Sequence, residues 1–112
     1  MFAIQIVSVG EKGRGVIARE RILEETIVSR SPVVLVPLRS KHPIDDFVFD
    51  WDEKNDALAL GPASFFNHSD EPNCAVARDY GNNSILIYTM RDIEPGEELA
   101  IDYGEVWFEV KP

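Results

Sequence analysis

The chain has 112 residues, 45% of them hydrophobic, with 20 acidic and 11 basic side chains giving a net charge of −9. That length and apolar share predict one folded domain over residues 1–112. The acid excess argues against direct nucleic-acid binding, which needs basic surface to neutralise phosphates, and favours a cationic partner. A single cysteine, Cys74, with only two histidines rules out an intrachain disulfide framework and a thiolate-rich zinc cluster. No apolar run approaches the roughly 20 residues that cross a bilayer, and the N-terminal stretch lacks the basic region of a signal peptide. The expectation is a soluble, intracellular protein.

In chain order, residues 2–9 are rich in β-branched side chains and predict a first strand. Gly10 to Gly15 predicts a turn, and Gly15 to Ala18 a short strand. The charged stretch from Arg19 to Glu25 predicts a helical turn, too short for an independent helix. Thr26 to Leu38 is β-prone but contains Pro32 and ends at Pro37, which predicts two strand pieces. Ser40 to Pro43 predicts a turn. From Asp45 to Asp56 the aromatics Phe47, Phe49 and Trp51 alternate through an acidic run, the period of a half-buried strand. Asn55-Asp56 predicts the next turn, and Ala57 to Leu60 follows it, closed by Gly61-Pro62.

Ser64 to Asn73 packs two phenylalanines, Asn67-His68-Ser69 and Pro72-Asn73 into ten residues and predicts irregular backbone or one helical turn. A buried polar group without a partner costs about 1–3 kcal/mol, so these side chains satisfy one another or meet a ligand. Cys74 to Asp79 and Ser84 to Met90, joined by Tyr80 to Asn83, predict a hairpin. Pro95-Gly96 predicts a turn, and Leu99 to Tyr103 a last short strand before an aromatic finish at Trp107-Phe108. With no amphipathic helix and no repeat in the pattern, the fold class is mostly β.

Taken singly, the candidate groups have ordinary explanations. Gly13-Arg14-Gly15 permits close backbone approach to a ligand, yet a lone Gly-x-Gly also suits a hairpin turn. His68 has no second ligand at metal-binding spacing, so fixing loop geometry is favoured over a metal site or a general base. Ser69 beside it lacks the Gly-x-Ser-x-Gly elbow of a hydrolase. Tyr103 reads as a core residue with its hydroxyl at the surface.

Together they have a different meaning. Asn67-His68-Ser69 with Pro72-Asn73, followed by Gly96-Glu97-Glu98-Leu99 and Asp102-Tyr103-Gly104, resembles the SET domain of protein lysine methyltransferases. Gly13-Arg14-Gly15-Val16 falls where that family's first Gly-x-Gly motif belongs, and the match runs from about Val9 to Trp107. The pattern Ala57 to Gly61 is similar to the minimal SET proteins of large viruses and bacteria, for which the compartment is the host nucleus or the bacterial cytoplasm.

The resemblance implies several small twisted sheets with a C-terminal pseudoknot, S-adenosylmethionine as methyl donor, a lysine of a basic protein or peptide as acceptor, and no metal. Carried over by position, Gly13, Arg14 and Gly15 line the cofactor with main-chain atoms, Asn67 and His68 meet its amino-acid and adenine parts, and Tyr103 is the active-site tyrosine. Trp107 packs on the cofactor or the substrate channel, which Phe47, Leu60 and Tyr103 also line. Such a channel aligns an amine with a sulfonium methyl, and desolvation beside that cation lowers the lysine's pKa. Carbonyl oxygens can hold the methyl by weak C–H···O contacts.

Two features depart from the family pattern. Asp70 stands where zinc-bearing relatives place a cysteine, and without a cysteine-rich tail the channel wall is expected from Trp107 to Val110 or from the second subunit of a homodimer. Phe47 stands where relatives often carry tyrosine, which keeps open an alternative in which the chain is a catalytically weak SET-like module acting by protein interaction. A plain β-rich interaction domain, the remaining rival, requires all three motifs to be coincidence.

Overall fold

The computed structural model describes residues 3–8, 10, 13–37 and 48–102. Among the described residues nine strands make two sheets: β1 (Ile4–Ser8), β2 (Arg14–Ala18), β3 (Ile27–Pro37), β4 (Val48–Asp50), β5 (Asn55–Ala59), β6 (Asn67–His68), β7 (Cys74–Asp79), β8 (Ser84–Thr89) and β9 (Glu98–Ile101). One sheet has the order β1-β2-β9-β6 and the other β4-β5-β3-β8-β7. The mostly β class is as expected.

The β1–β2 hairpin closes through Gly10 and Gly13, both at positive φ, with the Gly13 amide bonded to the Gly10 carbonyl at 3.1 Å. Only glycine takes such angles without Cβ strain. The expected β7–β8 hairpin is present in full register from Cys74↔Thr89 to Asp79↔Ser84. Its connection is a 3-10 turn, Tyr80–Asn82, capped by the Asp79 side chain and left through Asn83 in the left-handed region.

Three local expectations are corrected. Pro32 does not break β3; it divides the strand's partners. Residues Ile27 to Pro32 pair with β8, whereas Val33 to Pro37 pair with β5. The missing proline N–H falls where the partner changes, and the Pro32 carbonyl still accepts from the Leu60 amide at 2.7 Å. The turn expected at Asn55-Asp56 lies earlier, at Trp51 to Lys54, because the Asp52 carboxylate accepts the backbone N–H groups of Lys54 and Asn55 at 2.9 and 2.8 Å. That local capping starts β5 at Asn55. Residues 19–25 form no helical turn: Ile22 exchanges two backbone bonds with Ile93, and Arg21 reaches Asp92 at 2.9 Å. A buried isoleucine tied to a distant segment overrides weak helical preference. The turn placed at Ser40 to Pro43 lies outside the described residues, as does Phe47.

One apolar core joins both sheets. Val16 from β2, Leu99 and Ile101 from β9, Ile85 and Ile87 from β8, Phe66 and Ile93 are all fully buried. Phe49 and Trp51 are buried too, as their alternation predicted. Burying a side chain the size of Phe66 contributes about 1.5–3 kcal/mol, and Phe66 directly precedes β6. The core thereby fixes the strand that carries Asn67 and His68.

Candidate active site

The segment leading into β6 is set by a glycine. Gly61 has φ +136°, and a Cβ there would lie 3.0 Å from Ser31 Oγ. That hydroxyl accepts the Ala63 amide at 3.2 Å, anchoring the 3-10 turn Pro62–Phe65 to β3. Ser31 is fully buried. The turn sends Phe66 inward and releases Asn67-His68 as β6, which pairs parallel to β9 with Asn67 opposite Ala100 and His68 opposite Ile101. This pairing is the described part of the expected pseudoknot.

The Asn67 carboxamide joins all three sequence motifs. Its Nδ2 donates to the Arg14 carbonyl at 3.0 Å and to Glu98 Oε2 at 2.8 Å. Both amide hydrogens are thus used, while among the described residues no donor reaches its Oδ1. The Arg14 guanidinium sits over the Phe65 ring, 5.6 Å from its centroid.

His68 stands between two carboxylates. Nε2 lies 3.0 Å from Asp70 Oδ1, and Nδ1 lies 3.7 Å from Asp102 Oδ1. The ring is half-exposed. Ser69 shapes the loop rather than pairing with His68: its amide bonds the Ile101 carbonyl at 2.9 Å and its hydroxyl accepts the Glu71 amide at 3.0 Å. The hydrolase reading has no geometric support. Among the described residues no group of three His, Cys, Asp or Glu side chains is arranged to hold a metal ion.

Asn73 and Glu97 secure the frame. The Asn73 amide donates to the Glu98 carbonyl at 2.8 Å and its oxygen accepts the Ala100 amide at 2.9 Å. Glu97 accepts from the Arg91 guanidinium and from the Glu94 amide. The Arg91 hydrogen bond, reinforced by the Glu94 amide, pulls the Glu97 carboxyl down to about 2. Burial pushes the Cys74 thiol up to about 12, so it is no nucleophile at neutral pH.

Of the residues proposed from sequence, Arg14 and Asn67 meet directly, and His68 follows on the same strand. Gly13 and Gly15 flank Arg14, Gly13 at φ +83°. Leu60 lies just past β5, half-exposed, and shares no hydrogen bond with the Asn67 cluster among the described residues. Phe47, Tyr103 and Trp107 lie outside the described residues. Sequence reasoning did not separate Glu98 from Glu97, although strand period does: Leu99 and Ile101 face the core, so Glu98 projects from the other face of β9. Asp102 stood inside the Asp102-Tyr103-Gly104 motif and Phe65 inside the Ser64 to Asn73 stretch, but no sequence pattern joined them to His68 and Arg14.

Residues 13–104 match the family model described as SET domain. A histone-lysine N-methyltransferase of Schizosaccharomyces pombe, specific for H3 lysine-37, is 37% identical over 113 residues, covering 95% of this chain and 77% of that protein. Human histone-lysine N-methyltransferase EHMT1 is 36% identical over 80 residues, 60% of this chain, but the matched part is only 6% of that relative's length. The crystal structure of a Plasmodium falciparum protein assigned as a histone methyltransferase superposes with a TM-score of 0.79 at 27% identity, covering 96% of this chain and 98% of that one. The chain belongs to the SET-domain family. By that membership and by its likeness to the fission-yeast enzyme, it is a protein-lysine methyltransferase.

Proposed function

We propose that this chain transfers methyl groups from S-adenosylmethionine to the ε-amine of a lysine in a basic protein segment, such as a histone tail or a DNA-associated or ribosomal protein. The observation that carries the reading is the Asn67 carboxamide, which ties the Gly-x-Gly strand to β9 through Arg14 and Glu98. Its Oδ1, together with the Glu98 carboxylate, suits an ammonium group, so the donor set fits the amino-acid end of S-adenosylmethionine. When bound, that cofactor supplies a methyl group activated by a sulfonium.

The chain's own residues then hold and orient. Gly13 to Gly15 offer main-chain atoms without obstructing Cβ groups at Gly13 and Gly15. His68, braced by Asp70 and lying near Asp102, presents its strand backbone beside the cofactor. Tyr103, directly after Asp102, is assigned the active-site hydroxyl, and Phe47, Leu60 and Trp107 the apolar walls of the lysine channel. An apolar wall disfavours the ammonium form of the substrate lysine and so promotes the neutral amine that reacts. The net charge of −9 attracts basic segments, and the fission-yeast relative acts on histone H3. A homodimer that completes the channel wall is part of the same proposal, and a monomeric mass by light scattering at micromolar concentration contradicts that part alone.

Calorimetric titration with S-adenosylmethionine, followed by methyl-transfer assay on a mixture of basic proteins, tests the reading. Saturable binding with lysine methylation is expected. Absence of binding overturns the cofactor assignment, and binding without transfer to a broad panel favours the interaction module.

A further inference from the structure

Leu23, Ile27 and Met90 are 61%, 49% and 42% exposed, and they meet at one corner of the five-stranded sheet. The Leu23 carbonyl accepts the hydroxyls of Thr26 and Thr89 at 2.6 and 2.8 Å, and the Thr26 amide donates to Thr89 Oγ1 at 2.9 Å. Ile87 and Thr89 are fully buried, so Tyr88 and Met90 project from the outer face of β8. Ile27 lies directly opposite Tyr88. Single exposed apolar side chains are ordinary, whereas a rigidly grouped set marks a contact surface.

Two exposed acids, Glu24 and Glu25, rim this corner. Among the described residues neither carboxylate has a hydrogen-bond or ionic partner. The neighbouring cations Arg21 and Arg91 are already neutralised by Asp92, Glu94 and Glu97. Glu25 also sits at φ +63°. Ile22 bridges Ile93, and three residues after Ile93 the matching turn has Gly96 at φ +87°. The left-handed region strains a residue with a Cβ, so the chain keeps a carboxylate where glycine fits better.

We infer that this corner docks a basic amphipathic segment of the protein substrate, away from the lysine that is methylated, a role that rests on the basic-substrate reading above. Apolar side chains of that segment seat on Leu23, Ile27 and Met90, and its lysines or arginines meet Glu24 and Glu25. Charge selects this occupant. A two-fold contact with a second copy sets the same unpaired acids against each other, in a chain of net charge −9. Nucleic acid and anionic lipid are repelled for the same reason. The apolar seat supplies affinity, while the rim charges supply encounter rate and selectivity. None of the five residues belongs to the Asn67 cluster, so docking here lowers KM for a large substrate and leaves kcat alone.

The test measures steady-state methyl transfer to a mixture of core histones, and to short peptides spanning the lysines that mass spectrometry finds methylated in it. Wild type is compared with Glu25→Gly and with a double variant, Leu23→Asn with Met90→Gln. The double variant should raise KM for the intact proteins about five- to tenfold, with kcat and the peptide KM unchanged. Glu25→Gly should raise the same KM about threefold at low ionic strength, an effect that high salt removes. It should also melt no lower than wild type, because glycine takes φ +63° without strain. Weaker substrate binding without lost stability separates docking from a structural role, and keeps the test decisive if the double variant melts early. Unchanged KM in both variants, or equal changes for intact proteins and peptides, overturns the docking surface. Loss of dimer mass by light scattering in the double variant with KM unchanged assigns the corner to a second copy and overturns it too. Wild type that methylates none of these proteins or peptides overturns the basic-substrate reading, and the docking surface with it.

Discussion

The side-chain oxygen of Asn73 accepts the backbone N–H of Ala100 at 2.9 Å, two residues along β9 from the Glu98 carbonyl that receives its amide at 2.8 Å. Asn73 acts there as a short stretch of strand, satisfying one donor and one acceptor on β9. It lies just beyond the loop that follows β6, and its own carbonyl accepts the Met90 amide at 2.8 Å. The side chain and backbone carbonyl of this one buried residue therefore join the Pro72-Asn73 turn to β9 and to the end of β8.

Asn73→Ala is expected to destabilise the fold by about 2–4 kcal/mol, since two backbone groups lose their partners in a site that is 5% exposed. Chemical denaturation measures it. Asn73→Asp keeps the acceptor but loses the donor and brings a second carboxylate towards Glu97, so its loss should be no smaller. A change below about 0.5 kcal/mol, the scale of ordinary surface substitutions, contradicts the bridging role.

Gly61→Ala combines a φ of +136° with a Cβ 3.0 Å from Ser31 Oγ. The expected cost is about 1–3 kcal/mol, the scale of a strained backbone position. Because the Pro62–Phe65 turn leads directly into β6, cofactor affinity should fall along with the melting temperature. Ser31→Ala, which removes the hydroxyl bonded to the Ala63 amide, tests the same anchor without backbone strain and should show a smaller loss in both measurements.

Acid stability should depend on Glu97. Its carboxyl is lowered from 4.5 to about 2 by the Arg91 hydrogen bond and the Glu94 amide. A depressed folded-state value means that this contribution is present above the unfolded value and is lost as pH falls from about 4.5 towards 2. In Glu97→Gln, stability between those limits should change less steeply with pH than in wild type. Identical slopes contradict the pairing.

The thiol predicts the opposite limb. Burial raises Cys74 from 9.0 to about 12, so its contribution holds below pH 9 and declines as pH rises towards 12. At pH 8 a disulfide-exchange reagent should label the native protein only as fast as it opens, and label it completely after denaturation. Immediate stoichiometric labelling of the native protein contradicts the burial.

Much of this arrangement was legible in the residues. Gly13-Arg14-Gly15, Asn67-His68-Ser69 and Gly96-Glu97-Glu98-Leu99 stood out as motifs, and Asn67 brings them to one place. The alternation of Phe49 and Trp51 and the Tyr80 to Asn83 connection were legible because each is a local pattern. What escaped was tertiary. The partner change at Pro32 depends on where β5 and β8 end, and the Ile22–Ile93 exchange joins segments with no shared local signal. At Asp52 the side chain outcompeted the Asn55-Asp56 turn by capping two amides earlier in the chain.

Phe47 carries a prediction of its own. We propose that a channel lacking a tyrosine hydroxyl at this position is wider or drier and favours higher methylation states. Mass spectrometry of the product lysine should then show Phe47→Tyr shifting the mono-, di- and trimethyl distribution downward. An unchanged distribution disposes of the idea.

The central claim is lysine methylation at a site built on Asn67 and completed by Tyr103. It is tested most directly by following labelled methyl transfer from S-adenosylmethionine to a basic protein mixture with wild type and Tyr103→Phe, alongside calorimetric binding of the cofactor to both. The account predicts transfer to lysine by wild type and a rate about a hundredfold lower or worse in the variant, within the range attributed to alignment of reacting groups, with cofactor affinity largely kept. Transfer that survives Tyr103→Phe undiminished, or a wild-type protein that neither binds the cofactor nor methylates lysine, contradicts it.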